Sequence, residues 1–434
     1  MSHLFGTDGI RGIANKDLNI ELLTKLGKTL SLFKINKVVI GQDTRISSPM
    51  LSFALISSCL SMGMNVYDEG IVTTPCLSYV SEKLNSIGVM ITASHNPYYY
   101  NGIKVFINGK KLTKEQELYI EENINNDYNC SDLIGTYEKS SYKNKYIDSI
   151  NRHKNKYNNL RIGLDLANGA TSFLARDIYQ NITNSLYTIN SIPNGYNINE
   201  NVGSTHINTL MDYVNTHSLD IGFSYDGDGD RVIAVSRNGN IISGNLIIYI
   251  LALYLFDELG YPNRSVVLTK DTNIGVIKSF NERNINVLIS DIGDANVKEL
   301  MVKNSIVLGG EDSGHIITPF SEYGDGILTS LLLLNALYSL DKDLDYFTNK
   351  LILYPFIQYN ISKYQKDILK EEQIKNLITK LKDEFSNDGS VLIRASGTEN
   401  LIRVYMCHKD QDILNNANTL FTNTLDMVGK KYER

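Results

Sequence analysis

Short apolar runs recur along the chain, and each ends in a polar turn followed by a helical pattern. Lys37–Gly41 (KVVIG) leads into QDTRISS, Arg161–Leu164 (RIGL) into DLANGATS, and Ser265–Leu268 (SVVL) into TKDTNIG. Runs of this length, bounded by turn residues, predict buried strands whose C-terminal ends open toward a helix. Strands and helices alternating in this way predict α/β units with parallel strands. The turns share an Asp followed by small polar residues, which points to a unit of about a hundred residues present three times.

The last part of the chain is patterned differently. Ser390–Arg394 and Leu401–Cys407 are β-rich runs flanking ASGTEN, which predicts two strands around a tight loop. Glu371–Phe385 and Ile413–Met427 carry helical spacing. The expected architecture is three similar α/β domains with mixed sheets (1–147, 148–244 and 245–352) and a smaller C-terminal α+β domain (353–434). The active site is expected in the central cleft.

Two segments are strongly apolar, Leu246–Phe256 and Ile327–Leu340. The first stops at Asp257 and Glu258, and the second carries Thr329, Ser330 and Asn335. Both fall short of the roughly 20 apolar residues that span a bilayer, so they predict buried core helices. The Asn-rich stretch 121–131 (EENINNDYNCS) predicts a surface connection.

Composition narrows the function classes. A length of 434 residues exceeds one ordinary core. Hydrophobic residues at 42% and charged residues at 21% are those of a soluble globular protein. A net charge of −6 argues against a dedicated nucleic-acid binder, while leaving room for a local basic pocket. Cys59, Cys76, Cys130 and Cys407 are far apart and form no C-x-x-C pair, which argues against a zinc site or redox motif. Few cysteines in a long chain fit a reducing compartment. The start, MSHLFGTDGIRG, lacks the apolar run and cleavage site of a signal peptide. A cytoplasmic protein with neither membrane nor nucleic-acid partner is expected.

Four segments carry candidate chemistry. In Asp226-Gly-Asp-Gly-Asp-Arg231 three carboxylates alternate with two glycines. Pairs of such charges about 4 Å apart repel by ~4 kcal/mol at an effective dielectric near 20, so a cation is expected among them. Hard oxygen ligands suit Mg²⁺ or Ca²⁺ over Zn²⁺. An EF-hand wants Gly at position six and Glu at position twelve of its loop, where this chain has Arg231 and Arg237. An aspartyl-phosphate phosphatase and a solvated acidic turn remain alternatives. In Ile91-Thr-Ala-Ser-His-Asn-Pro97 a strand-like run delivers Ser94 to a strand end, where active sites of open α/β sheets lie. His95 adjoins it, and Lys104 is placed to reach a phosphate or act as a base. Gly309-Gly-Glu-Asp-Ser-Gly-His315 offers Glu311 and Ser313 to sugar hydroxyls and His315 as a general acid or base. Arg394-Ala-Ser-Gly-Thr-Glu399 with Arg403 reads as a phosphate cradle: Ser396 and Thr398 supply hydroxyls, Gly397 allows close approach, and two arginines grip oxygens. Arg11 stands in a further glycine-rich turn, GTDGIRG. Together these describe phosphoryl transfer to or from a phosphorylated polyol.

With these residues in place the chain resembles the α-D-phosphohexomutase superfamily. The resemblance runs through FGTDGIRG (5–12), GQDTRISS (41–48), TASHNPYYYNGIK (92–104), NINENVGSTH (197–206), DGDGDR (226–231), GGEDSGH (309–315), GDGI (324–327) and RASGTENLIRV (394–404). FGTDGIRG and GSTH favour its glucosamine branch over the phosphomannomutase/phosphoglucomutase branch; a non-catalytic sugar-phosphate sensor is a further alternative. The resemblance implies a phosphoryl group carried on Ser94 and one Mg²⁺ held by Asp226, Asp228, Asp230 and an oxygen of that phosphoserine. It implies glucosamine 6-phosphate as substrate and glucosamine 1,6-bisphosphate as intermediate and activator, in a supply route to UDP-N-acetylglucosamine and cell-wall precursors. It also implies sugar contacts from Glu311 and Ser313, and a phosphate bound by Arg394, Ser396, Gly397, Thr398 and Arg403. Charge would be stabilised by Arg11, Lys104 and Arg231, with Lys104 and His315 as candidate acid/base groups, and a homodimer is expected. Three sites, four residues in all, depart from the family pattern: Ala295 replaces an Arg, Asn400 a Pro, and Glu322-Tyr323 a Thr pair. Retained but weakened activity is expected from the first.

Overall fold

The run Lys37–Gly41 is the start of a strand, Lys37–Gln42, at the middle of a mixed sheet. The computed structural model describes residues 4–6, 8–386, 388–396 and 401–433. In the first unit Lys37–Gln42 is parallel to Asn65–Ile71 on one side and to Ile87–Ile91 on the other. Ile87–Ile91 in turn pairs antiparallel with Tyr100–Ile107. The second unit repeats this order: Ser185–Ile189, Arg161–Asp165 and Ile221–Tyr225 are parallel, and Val232–Ser236 is antiparallel to the last. The third does so again with Asn286–Ser290, Ser265–Thr269, Leu308–Gly310 and the antiparallel Ile316–Ile317.

The three units are therefore one topology used three times. In each, the turn from the last parallel strand to its antiparallel partner carries one of the candidate segments. Ser94 lies between Ile87–Ile91 and Tyr100–Ile107, the Asp triad between Ile221–Tyr225 and Val232–Ser236, and Glu311–His315 between Leu308–Gly310 and Ile316–Ile317. The inner parallel strands, such as Ile87–Ile91, are buried on both faces and read as apolar runs, whereas the flanking strands Ser185–Ile189 and Asn286–Ser290 are only partly buried.

The strongly apolar segments are core helices, Gly244–Leu253 and Gly326–Ser339. They sit in a core that is continuous from Val39, Met90 and Phe106 of the first unit through Phe223 of the second to Leu268 of the third. No helix among the described residues is long and apolar enough to cross a membrane. The C-terminal unit has its own core under an antiparallel sheet, Phe356–Ile361, Ile402–His408 and Gly389–Ala395, packed by Glu372–Phe385 and Gln411–Gly429. In the Asn-rich stretch, residues 121–123 complete the helix Lys114–Asn123, and the connection begins after them. A helix, Lys143–Asn151, runs across the expected division between 147 and 148.

Candidate active site

Ser94 has a left-handed backbone, φ 53°, a conformation that costs an L-residue about 1–2 kcal/mol. Arg45, fully buried, holds it there. Its Nε donates to Asp43 Oδ2 at 2.8 Å, and Nη2 to the carbonyls of Ser94 (2.9 Å) and Asn96 (2.8 Å). Nη1 donates to the carbonyls of Tyr100 (3.0 Å) and Pro97. Only a planar guanidinium presents donors in such a fork. Asn199, from the second unit, donates to the same Ser94 and Asn96 carbonyls at 2.8 and 3.1 Å. Thr92 Oγ1 donates to Asp43 Oδ2 and accepts from the Ser94 N–H, closing the ring of contacts.

The acidic loop packs directly on this serine loop. A Cβ at Gly227 would meet the Ser94 carbonyl oxygen at 2.6 Å, and Gly229 has φ +72°, which explains both glycine spacers. Ser94 Oγ donates to Asp226 Oδ2 at 2.6 Å, and Arg231 N–H donates to Asp226 Oδ1 at 3.2 Å. Asp228 Oδ2 accepts from Thr74 Oγ1 (2.5 Å) and Lys104 Nζ (2.9 Å). Asp230 Oδ2 accepts from Lys104 Nζ (2.9 Å) and Tyr323 OH (3.1 Å). The second oxygens, Asp228 Oδ1 and Asp230 Oδ1, are buried without a hydrogen-bond partner among the described residues.

Each of these two carboxylates is thus clamped by one oxygen and presents the other. Buried polar atoms are ordinarily satisfied. Ligand oxygens of Asp226, Asp228 and Asp230 lie within 4.8 Å of one another. An all-oxygen set of fixed carboxylates fits Mg²⁺, which takes few protein ligands and leaves positions for phosphate oxygens.

The electrostatics follow from burial and this charge pattern. Burial, then Asp230 and Asp228, push the Asp226 carboxyl well above its usual range. Burial also pushes Asp230 up, but Lys104, His315 and Arg231 outweigh it and hold that group low. For Lys104, burial works against the charge, yet Asp228, Asp230 and Asp8 outweigh it and keep the ammonium protonated. Burial, Arg231 and Arg11 bring His95 down to about 3, so its ring is neutral near pH 7. His95 Nδ1 is 3.4 Å from Ser94 Oγ, farther than Asp226.

The remaining candidates divide between this cluster and its surroundings. Arg11 reaches Asp8 Oδ2 at 2.5 Å and the Ala93 carbonyl at 3.3 Å, beside the serine loop. Asp8 also pairs with Lys104 (3.1 Å) and Lys111 (2.6 Å). Arg231 and His315 meet as an antiparallel bridge that joins the second and third units. The buried His315 ring lies 3.9 Å from Asp294 and edge-on to Tyr323. Glu311 Oε1 accepts from Gly293 N–H at 2.9 Å, and burial raises its carboxyl. Ser313 is exposed on the same turn. Ala295 is exposed on the helix Asp294–Lys303, while its neighbour Asp294 pairs with Lys111 at 2.6 Å.

Arg394 and Arg403 face each other across the C-terminal sheet. Burial and Arg403 lower the Arg394 guanidinium, while Asp271 and Glu311 of the third unit oppose this. Ser396 follows the strand and is buried. Gly397 and Thr398 lie outside the described residues. The residues missed in the sequence are Arg45, Asp43, Thr92, Thr74, Asn199, Lys111 and Tyr323. QDTRISS carried a local signal, an Asp and an Arg at a strand end, while Thr92 and Asn199 stand in quoted segments and Tyr323 at a noted departure, each without a role assigned to it.

Models of the four phosphoglucomutase/phosphomannomutase domains match the chain in order. The α/β/α domains I, II and III cover residues 2–130, 144–239 and 243–353, and the C-terminal domain covers 359–418. The chain is 38% identical over 420 residues to the phosphoglucosamine mutase of Anoxybacillus flavithermus, covering 93% of this chain and 94% of that one. It is 39% identical over 433 residues to that of Bacillus cytotoxicus, covering 96% of each. Its fold matches a phosphoglucomutase/phosphomannomutase family protein of Burkholderia thailandensis with a TM-score of 0.84 at 21% identity, over 99% of this chain and 98% of that one. It also matches the Aspergillus fumigatus N-acetylphosphoglucosamine mutase, in complex with GlcNAc-6P and magnesium, with a TM-score of 0.70 at 16% identity, over 98% and 96% of the two chains.

Proposed function

The chain belongs to the phosphoglucomutase/phosphomannomutase family, and from that premise we propose that it interconverts glucosamine 6-phosphate and glucosamine 1-phosphate. The observation that carries this reading is the contact between Ser94 Oγ and Asp226, beside two clamped carboxylates that each keep one buried oxygen without a hydrogen bond among the described residues. The choice of amino sugar rests on the relatives of 38–39% identity, which carry the name phosphoglucosamine mutase.

In the proposed reaction Ser94 carries a phosphoryl group. The 1-hydroxyl of glucosamine 6-phosphate attacks phosphorus, the Ser94 Oγ–P bond breaks, and a 1,6-bisphosphate forms. After the sugar turns end for end, Ser94 Oγ attacks the 6-phosphoryl group and glucosamine 1-phosphate leaves. Asp226, Asp228 and Asp230, with a phosphoserine oxygen, would hold Mg²⁺, which offsets charge on the transferring oxygens when bound.

Lys104 stays protonated and is assigned to charge stabilisation with Arg11 and Arg231. His315 is assigned the acid/base role, moving the proton of the attacking or leaving hydroxyl. His95, neutral, is assigned a hydrogen bond at the serine loop. Glu311 and Ser313 orient the sugar, while Arg394, Ser396, Gly397, Thr398 and Arg403 grip whichever phosphate is not reacting. That division explains a cradle on a separate unit, since the two phosphates exchange places. The first unit is taken to extend through the helix Lys143–Asn151, whose Lys143 N–H donates to Glu69 at 3.0 Å and whose Tyr146 ring stands edge-on to Tyr79, both in the first unit.

The test is kcat/KM for glucosamine, glucose and mannose phosphates with phosphorylated protein and Mg²⁺. The expected order places glucosamine first. A preference for glucose or mannose moves the chain to the other branch, and no turnover on any of them supports a sugar-phosphate sensor.

A further inference from the structure

Tyr323 belongs to none of the roles above, yet it touches most of the groups that carry them. It is 6% exposed. Its hydroxyl lies 3.1 Å from Asp230 Oδ2 and 3.4 Å from Lys104 Nζ. Its ring stands edge-on to His315, with centroids 4.9 Å apart, and edge-on to Phe106 at 5.6 Å. The ammonium groups of Lys104 and Lys111 lie 5.8 and 5.3 Å from its centroid. A third-unit residue thereby joins an Asp of the second unit to two lysines of the first.

We infer that Tyr323 is a positioning residue for the cation site: its hydroxyl fixes Asp230 Oδ2 so that Asp230 Oδ1 is presented to the metal. The inference rests on the reading of Asp226, Asp228 and Asp230 as metal ligands. Asp230 Oδ1 is buried and accepts no hydrogen bond among the described residues, with Arg231 Nε at 3.9 Å, while Oδ2 is held by two donors, Lys104 and Tyr323. A carboxylate held by Lys104 alone keeps one donor and gains freedom to rotate about its Cβ–Cγ bond. Outer hydrogen-bond partners of metal ligands are typically worth about 10- to 100-fold in affinity. Since Lys104 shares the same oxygen, the lower end, about 10-fold, applies here.

The test is Mn²⁺ binding to full-length wild type and Tyr323→Phe, followed by the electron paramagnetic resonance of free Mn²⁺. Phe keeps the ring against His315 and Phe106 and removes only the hydroxyl. The expected result is a dissociation constant about 10-fold higher in Tyr323→Phe, with an unchanged unfolding temperature in chelator. Its kcat should recover to within twofold of wild type at saturating Mg²⁺. Equal Mn²⁺ affinity in the two proteins, with wild type binding normally, overturns the role of Tyr323. A wild type that binds no Mn²⁺ overturns the metal reading beneath it. A defect that saturating Mg²⁺ leaves in place also overturns the inference, because the hydroxyl would then act elsewhere.

Discussion

Replacing Arg45 by Lys keeps the charge and removes the fork. The guanidinium makes five hydrogen bonds, to Asp43 and to the carbonyls of Ser94, Asn96, Pro97 and Tyr100. An ammonium has three donors, so at least two of the five bonds are lost. At about 1–1.5 kcal/mol net for each bond, the local cost is about 2–3 kcal/mol. That exceeds the about 1–2 kcal/mol by which the left-handed Ser94 backbone is disfavoured, so the serine loop is released toward ordinary conformations. A displacement near 1 Å of a reacting group can cost about 100-fold in rate. Asn199 still holds the Ser94 and Asn96 carbonyls, which limits the loss to about 10- to 100-fold. A coupled mutase assay on Arg45→Lys, with glucosamine 1,6-bisphosphate present, should show this loss in kcat with KM within about threefold. A kcat within threefold of wild type would refute the claim that Arg45 holds the nucleophile in place.

Other perturbations read out other parts of the account. Removing the ammonium from between Asp228 and Asp230 with Lys104→Met leaves buried like charges facing each other, at a cost of about 3–5 kcal/mol. Thermal unfolding should show a marked drop that Mg²⁺ partly reverses, and an unchanged unfolding temperature would count against it. Gly227→Ala sets a methyl group against the Ser94 carbonyl at 2.6 Å. It should lower kcat by about 100-fold with unchanged circular dichroism, and full activity would contradict the close approach of the two loops. Asp325 caps the helix Gly326–Ser339, and burial raises its carboxyl from 3.8 to about 6. Between those values the folded chain keeps a proton that the unfolded chain has released, so stability falls as pH rises through that window, by about 3 kcal/mol. Asp325→Asn keeps the cap and should flatten this slope; parallel pH profiles of unfolding for the two proteins would rule it out.

What the sequence disclosed was local in kind. The strands around Lys37–Gly41, Arg161–Leu164 and Ser265–Leu268 were legible because parallel strands buried on both faces are continuous apolar runs. The repeat was faint in residues and plain in topology, because sheet order constrains the backbone and leaves side chains free to diverge. Ser94 and the Asp triad were legible because a strand end and paired glycines mark them within ten residues. The assembly around them was not, because it is made by pairs far apart in sequence: Arg45 with Asn96, Thr74 with Asp228, and Tyr323 with Asp230. Lys104 illustrates the difference. It reads in sequence as a base or a phosphate contact, and in the fold it is an ammonium locked among Asp8, Asp228 and Asp230.

The claim on which the rest depends is that Ser94 carries the phosphoryl group. Intact mass of wild type and Ser94→Ala, before and after incubation with glucosamine 1,6-bisphosphate and Mg²⁺, tests it directly. The account predicts a gain of one phosphoryl group in wild type alone. The same gain in Ser94→Ala, or none in an active wild type, would contradict it.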